Sequence, residues 1–331
     1  MKAKLTALEE KIIHGYRLSR KDEADVKELL TKPLDELMAC AGKLQKHFCG
    51  NHVDLCTIIN GRSGRCSENC KYCAQAACHH TGIEEYPFLP TEEIIANARA
   101  NEQAGVNRFA IVTSGRALGG AEFDQAIKTY EKMNTELTID LCASHGILNR
   151  EQFRRLRAAG VTSYHHNIET SRRYFPQICT THTYDDRIKT IRLAQSEGLN
   201  VCSGGIIGMG ETPEDVVDML FELLEINPDS VPINFLLPVE GTRLAERDIS
   251  ALTPEYCIKV LCLARLMLPK SDIRCAAGRE VYFKGHEKTL FKVADSIFAS
   301  GYLTEGGQSL EETFRTIEAA GFTWFVESTD K

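Results

Sequence analysis

The feature that most constrains this chain is a rhythm. Short runs rich in β-branched and aromatic residues recur between stretches of helical periodicity, from Val53 nearly to the C-terminus. Eight strand candidates stand out: VDLCTII, RFAIVTS, IDLCASHG, SYHHNIE, NVCSGGII, SVPINFL, DIRCAAG and SIFAS. Helical stretches such as TEEIIANARANEQAG, DDRIKTIRLAQSEG and TPEDVVDMLFELLEI lie between them, several opened by Thr, Asp or Pro and closed by Gly. Such alternation builds a parallel sheet, and eight units closing on themselves make a complete (β/α)8 TIM-type barrel of the α/β class. The 331 residues suit one barrel without demanding a second. Residues 1–50 alternate apolar and charged positions at helical spacing, with Pro33 placed to open a helix. They predict an N-terminal helical extension ahead of a barrel over 51–331.

Composition narrows the function classes. A hydrophobic share of 43% and a charged share of 26% allow a full core and exclude a disordered chain. The net charge is −7, with Lys and Arg scattered, so no footprint for a nucleic acid partner exists. The segment MKAKLTALEEKIIHGYRL is too densely charged for a secretory signal, and no apolar run reaches spanning length. The expectation is a cytoplasmic protein without a membrane partner. Its 13 cysteines are odd in number and spread along the whole chain, unlike the even framework of a small secreted fold. In a reducing compartment they are buried thiols, nucleophiles or metal ligands.

The first strand candidate is followed by NGRSGRCSENCKYCAQ, which places Cys66, Cys70 and Cys73 in a CxxxCxxC loop on the face where barrels carry their sites. Three thiolates can hold a 4Fe–4S cube and leave its fourth iron without a protein ligand. Spacing alone leaves a structural zinc site open, because Cys78, His79 and His80 follow closely. With Tyr72 before the last Cys, the loop resembles the signature of radical S-adenosylmethionine enzymes, in which the open iron chelates the cofactor. There the cofactor is cleaved to methionine and a 5′-deoxyadenosyl radical. The words KPLDELM, CSENCKYCAQ, HHNIETS, TTHTYDDRI, VCSGGIIGMGE, SVPIN, AGRE and SIFASGYLT extend the resemblance, over nearly the whole chain, to the biotin synthase family. The resemblance implies a sulfurtransferase that inserts sulfur into dethiobiotin to form biotin. It also implies an electron donor such as flavodoxin or ferredoxin and a homodimer. Another radical enzyme of the subfamily, a maturase or a mutase, and a non-catalytic metal-binding protein remain alternatives.

Further positions follow from the resemblance one at a time. Tyr72 joins the cofactor set. Asn167 and Glu169 match residues that hold the cofactor ribose, Arg187 matches an Arg that pairs with the methionyl carboxylate, and Ile206 matches the residue that packs the adenine. On the substrate side, His165 stands where the family has an Asn, Asn234 matches a residue near the substrate, and Thr304 matches a Thr near its carboxylate. The Thr expected after it is Glu305 here.

The family's auxiliary cluster uses three Cys and one Arg. The corresponding strands read RFA, DLC, NVC and DIR, a shared phase that points the third residue into the barrel. Cys142, Cys202 and Arg274 match, but Ala110 cannot bind iron. Either the second cluster is absent or differently ligated, or a cysteine from elsewhere replaces the lost ligand; Cys275 should point outward and Cys78 lies beside the first cluster, so Cys179, in the loop after the fourth strand, is the expected replacement. That set would carry a 4Fe-type cluster rather than a 2Fe–2S one. Cys40, Cys49, Cys56, Cys257 and Cys262 read as buried apolar residues.

Overall fold

The computed structural model describes residues 2–299 and 309–324. Three helices come first, α1 (Lys2–Ile13), α2 (Glu23–Leu29) and α3 (Leu34–Phe48). Pro33 is extended (φ −55°, ψ 138°) and stands at the N-cap of α3, as its fixed ring favours. The strands are β1 (Asp54–Arg62), β2 (Arg108–Thr113), β3 (Asp140–Ser144), β4 (Ser163–His165), β5 (Asn200–Cys202), β6 (Gly205–Ile207), β7 (Ser230–Phe235), β8 (Asp272–Cys275) and β9 (Ser296–Phe298). Between them run α4 (Thr91–Gln103), α5 (Gly120–Glu136), α6 (Arg150–Ala158), α7 (Tyr184–Ser196), α8 (Pro213–Ile226), α9 (Pro254–Met267) and the short α10 (Arg279–Tyr282) and α11 (Glu287–Leu290). The last described helix is α12 (Leu310–Ala319). Among the described residues, no helix is long and apolar enough to cross a membrane.

All strand pairings are parallel, in the order β5-β4-β3-β2-β1-β9-β8-β7-β6, and a β5–β7 pairing closes the sheet on itself. β5 and β6 are one strand position, the candidate NVCSGGII, broken at Ser203–Gly204. At Gly204 a Cβ would lie 1.9 Å from the Pro232 carbonyl oxygen, so the backbones approach more closely than any side chain permits. Eight positions therefore close a (β/α)8 barrel.

Helix starts are set locally. Asn149, Thr183 and Thr212 each accept a hydrogen bond from the third amide of α6, α7 and α8. The extension packs on the outer ring, α3 against α1 and α9, and α2 against α8. Beneath the barrel the fully buried Arg265 pairs with Asp295 (Nη2 to Oδ1) and with the Ser271 carbonyl at 2.9 Å, which fixes the end opposite the site.

Candidate active site: two stacked thiol-lined cavities

β1 hands the chain to the cysteine loop through a sharp reversal. Gly64 (φ +75°) and Arg65 (φ +51°) are both left-handed, a conformation natural for Gly and costly for Arg. Cys66 then exchanges backbone hydrogen bonds with Gln75 (3.0 Å) and Ala77 (2.8 Å), which closes the loop on itself. The loop is also stitched to the segment after β4. The Lys71 amide donates to the Ile178 carbonyl (2.9 Å), and Asn69 Nδ2 donates to Thr180 Oγ1 (2.7 Å).

Cys66, Cys70 and Cys73 face a cavity of about 190 Å³ at the C-terminal mouth of the barrel, with Tyr72, Asn167 and Arg187 on its walls. Burial raises the Cys66 thiol and pushes Cys73 up to about 11, so the bare side chains are neutral and await a cation to displace their protons. Arg187 is fixed in the opposite wall. Its Nη1 donates to the Asn167 carbonyl (2.8 Å) and to Glu169 Oε1 (3.0 Å), and its Nε donates to His182 Nε2 (3.0 Å). Glu169 has a left-handed backbone (φ +70°), a strain of the kind that collects at functional sites. Its Oε2 and His166 Nε2 are buried with no partner among the protein atoms.

These residues fit an iron–sulfur cluster with S-adenosylmethionine bound to it. Soft thiolates converge from one loop, a cation stands ready for a carboxylate, and an unsatisfied buried carboxylate oxygen can take hydroxyl donors. Tyr72 stays a phenol, because burial raises its pKa well above the ordinary value.

A second cavity, of about 160 Å³, lies deeper, and the two share a wall that includes Tyr72, His165, Asn167 and Glu169. Cys142, Cys202 and Arg274 line it as the strand phase requires, and so do Ala110 and Ile206. Arg274 Nη1 lies 3.4 Å from Cys202 Sγ, and its other nitrogens are held by Asp54 (2.8 Å) and Ser296 (2.7 Å). His165 lines both cavities. Its Nδ1 lies 3.3 Å from Cys202 Sγ.

Cys179 does not join this set. Its sulfur, the sulfur of Cys70 and a ring nitrogen of His182 lie within 4.8 Å of one another, beside the cysteine loop. The hydrogen bonds from the loop to Ile178 and Thr180 hold this segment at the barrel mouth, and Cys179 does not line the deep cavity. The third thiol lining the deep cavity is Cys56, which packs with Ala110 and Cys142. Expected as a buried apolar residue, it is buried, and β1 carries the same signal as its neighbours: DLC at 54–56 repeats the polar, apolar, inward pattern of DLC at 140–142. Cys275 points away into the fully buried helix layer, and Cys78 is exposed.

The remaining candidates separate. Asn234 spends its amide on backbone, accepting from the Ala277 amide and donating to the Gly205 carbonyl (both 3.1 Å), and it lines neither cavity. Thr304 and Glu305 lie outside the described residues.

Comparison with known proteins then decides the family. Residues 62–223 match the radical SAM superfamily, and 232–323 match the biotin and thiamin synthesis associated domain. A biotin synthase of Clostridium botulinum (strain Langeland) is 47% identical over 94% of this chain and 96% of its own length. One of Akkermansia muciniphila is 43% identical over 96% and 97%. The chain belongs to the biotin synthase family. Among solved structures, methylornithine synthase shares the fold at a TM-score of 0.81 with 22% identity, covering 96% of this chain and 97% of its own. A maturase of the [FeFe]-hydrogenase does so at 0.81 with 17% identity, covering 97% and 76%. Membership of the biotin synthase family makes S-adenosylmethionine and iron–sulfur clusters the groups that this site takes.

Proposed function

We propose that the protein is a radical S-adenosylmethionine sulfurtransferase that converts dethiobiotin to biotin, working in the cytoplasm with sulfur drawn from an auxiliary cluster. The observation that carries this reading is the pair of thiol-lined cavities stacked along the barrel axis with a common wall. The two clusters and S-adenosylmethionine, when bound, supply the one-electron and sulfur chemistry.

The chain's residues do the rest. Cys66, Cys70 and Cys73 would hold a [4Fe–4S] cluster with one open iron, and Arg187 would take the methionyl carboxylate, which suits its planar fork of donors. Glu169 and Asn167 would receive the ribose, with Ile206 and Tyr72 against the adenine. In the deep cavity Cys56, Cys142 and Cys202, with Arg274, would hold the auxiliary cluster. Three thiolates again leave the fourth iron of a cube without a cysteine, so a 4Fe-type cluster suits the set better than a 2Fe–2S one. His165 stands between the two cavities and would contact the substrate while it orients Cys202. The buried barrel interior keeps water and oxygen from the reacting carbons. A reductant such as flavodoxin or ferredoxin would supply electrons, and the chain would pair as a homodimer.

The test is turnover after anaerobic reconstitution, with dethiobiotin, S-adenosylmethionine and a reductant. The expected result is biotin together with 5′-deoxyadenosine. Formation of 5′-deoxyadenosine without any sulfur-containing product would overturn the assignment to dethiobiotin.

A further inference from the structure

Glu68 lies inside the cysteine loop, between Cys66 and Cys70, and has no role in the reading above. Its Oε2 meets His182 Nδ1 and also accepts from Thr181 Oγ1 (2.6 Å). On the far side of the same ring, His182 Nε2 lies 3.0 Å from Arg187 Nε. Glu68, His182 and Arg187 are buried.

Hydrogen-bond inventory fixes the direction of this chain. The Nε of a guanidinium has a hydrogen and no lone pair to offer, so Arg187 must donate and His182 Nε2 must accept. A neutral imidazole has one acceptor and one donor nitrogen, so the ring proton lies on Nδ1, where the Glu68 carboxylate receives it. Cys179 Sγ, 3.3 Å from Nδ1, and the Phe175 ring, 5.6 Å away between centroids, pack the imidazole in place. With Nε held by His182, and Nη1 by Asn167 and Glu169, Nη2 is the Arg187 nitrogen that has no hydrogen bond among the described residues.

We propose that His182, with its tautomer set by Glu68, is a positioning residue that aims Arg187 Nη2 at the carboxylate of S-adenosylmethionine and ties that aim to the cysteine loop. The proposal rests on the reading of Arg187 as the carboxylate partner. One hydrogen-bonded chain then sets two anchor points of the cofactor, because the element that orients its carboxylate partner begins between two thiolates of the cluster. An arginine released from His182 would pivot about its remaining bonds and pay the entropy of ordering when the cofactor binds.

The experiment measures S-adenosylmethionine affinity, by the change that the cofactor makes in the EPR spectrum of the reduced [4Fe–4S] cluster, with iron counted in each sample. His182→Phe keeps a ring against Phe175 and removes both hydrogen bonds. His182→Gln restores one donor and one acceptor. The expected result is affinity about tenfold weaker in His182→Phe, iron content unchanged, an effect that falls on KM rather than kcat, and substantial recovery in His182→Gln. Arg187→Lys has no Nε for His182 to hold, so His182→Phe in that background should cost almost nothing further. Wild-type affinity in His182→Phe with weakened binding in Arg187→Lys would overturn the proposal and leave the reading of Arg187 standing. Wild-type affinity in both would overturn that reading as well. Iron loss in His182→Phe that His182→Gln does not repair would also overturn it, because His182 would then be holding the loop and not the arginine.

Discussion

Cys56 lines the deep cavity and Cys179 does not, and the two set the sharpest residue-level prediction. Cys56→Ala should lower iron and sulfide to the content of one cluster and stop biotin formation while 5′-deoxyadenosine still appears. Cys179→Ala should keep both clusters. Iron and acid-labile sulfide assays on the reconstituted variants check this, and full iron in Cys56→Ala would return the missing ligand to another residue. The sequence already held the sign that Cys56 faces inward, because Asp54, Leu55 and Cys56 repeat the order of Asp140, Leu141 and Cys142. The position of Cys179 was not legible. A loop has no alternation to read, and its place depends on hydrogen bonds to Lys71 and Asn69, more than a hundred residues earlier. The same distance hid the pairing of Glu68 with His182, and Asn234 matched a motif whose amide is consumed by backbone.

At the scale of elements, β-rich runs and cap residues located all eight barrel positions, since a buried parallel strand and a capped helix leave local marks. The break between β5 and β6 left only two glycines as a sign. It positions both Cys202 and Glu169: Gly205 bridges to Glu169, and a Cβ on Gly205 would come 2.5 Å from the Glu169 carbonyl oxygen. Gly204→Ala must push β5 away from β7, since the obstacle is the Pro232 carbonyl and not a movable side chain. It should cost about 1–3 kcal/mol, lower the thermal unfolding midpoint and release iron from the deep site. An unchanged midpoint would show that the backbone yields more easily than the 1.9 Å approach implies.

At the scale of the whole molecule, one contribution to acid stability comes from a buried histidine that performs no chemistry. His145 bonds to Thr113 Oγ1 and Tyr130 OH (both 3.0 Å), and burial first, with the Arg62 charge second, lowers its pKa to about 3. Unfolding returns it to about 6.5, so the unfolded chain binds a proton that the folded one refuses. The resulting stability is complete above that value and is lost as pH falls toward 3, by up to ~1.4 kcal/mol per pH unit. Unfolding midpoints at pH 7 and 5.5 should therefore differ by less in His145→Gln than in the wild type, and an equal difference would place the acid sensitivity elsewhere. The stitching of the cysteine loop also sets a timetable during synthesis. A chain emerging from its N-terminus exposes the CxxxCxxC loop well before Thr180 and Thr181, 111 to 113 residues later, exist to dock it. The floor of the deep cavity waits longer, for Arg274 to reach Asp54 across 220 residues. Neither pocket is complete on a half-made chain, and the residues of the upper site are all synthesised before the set for the lower one is complete.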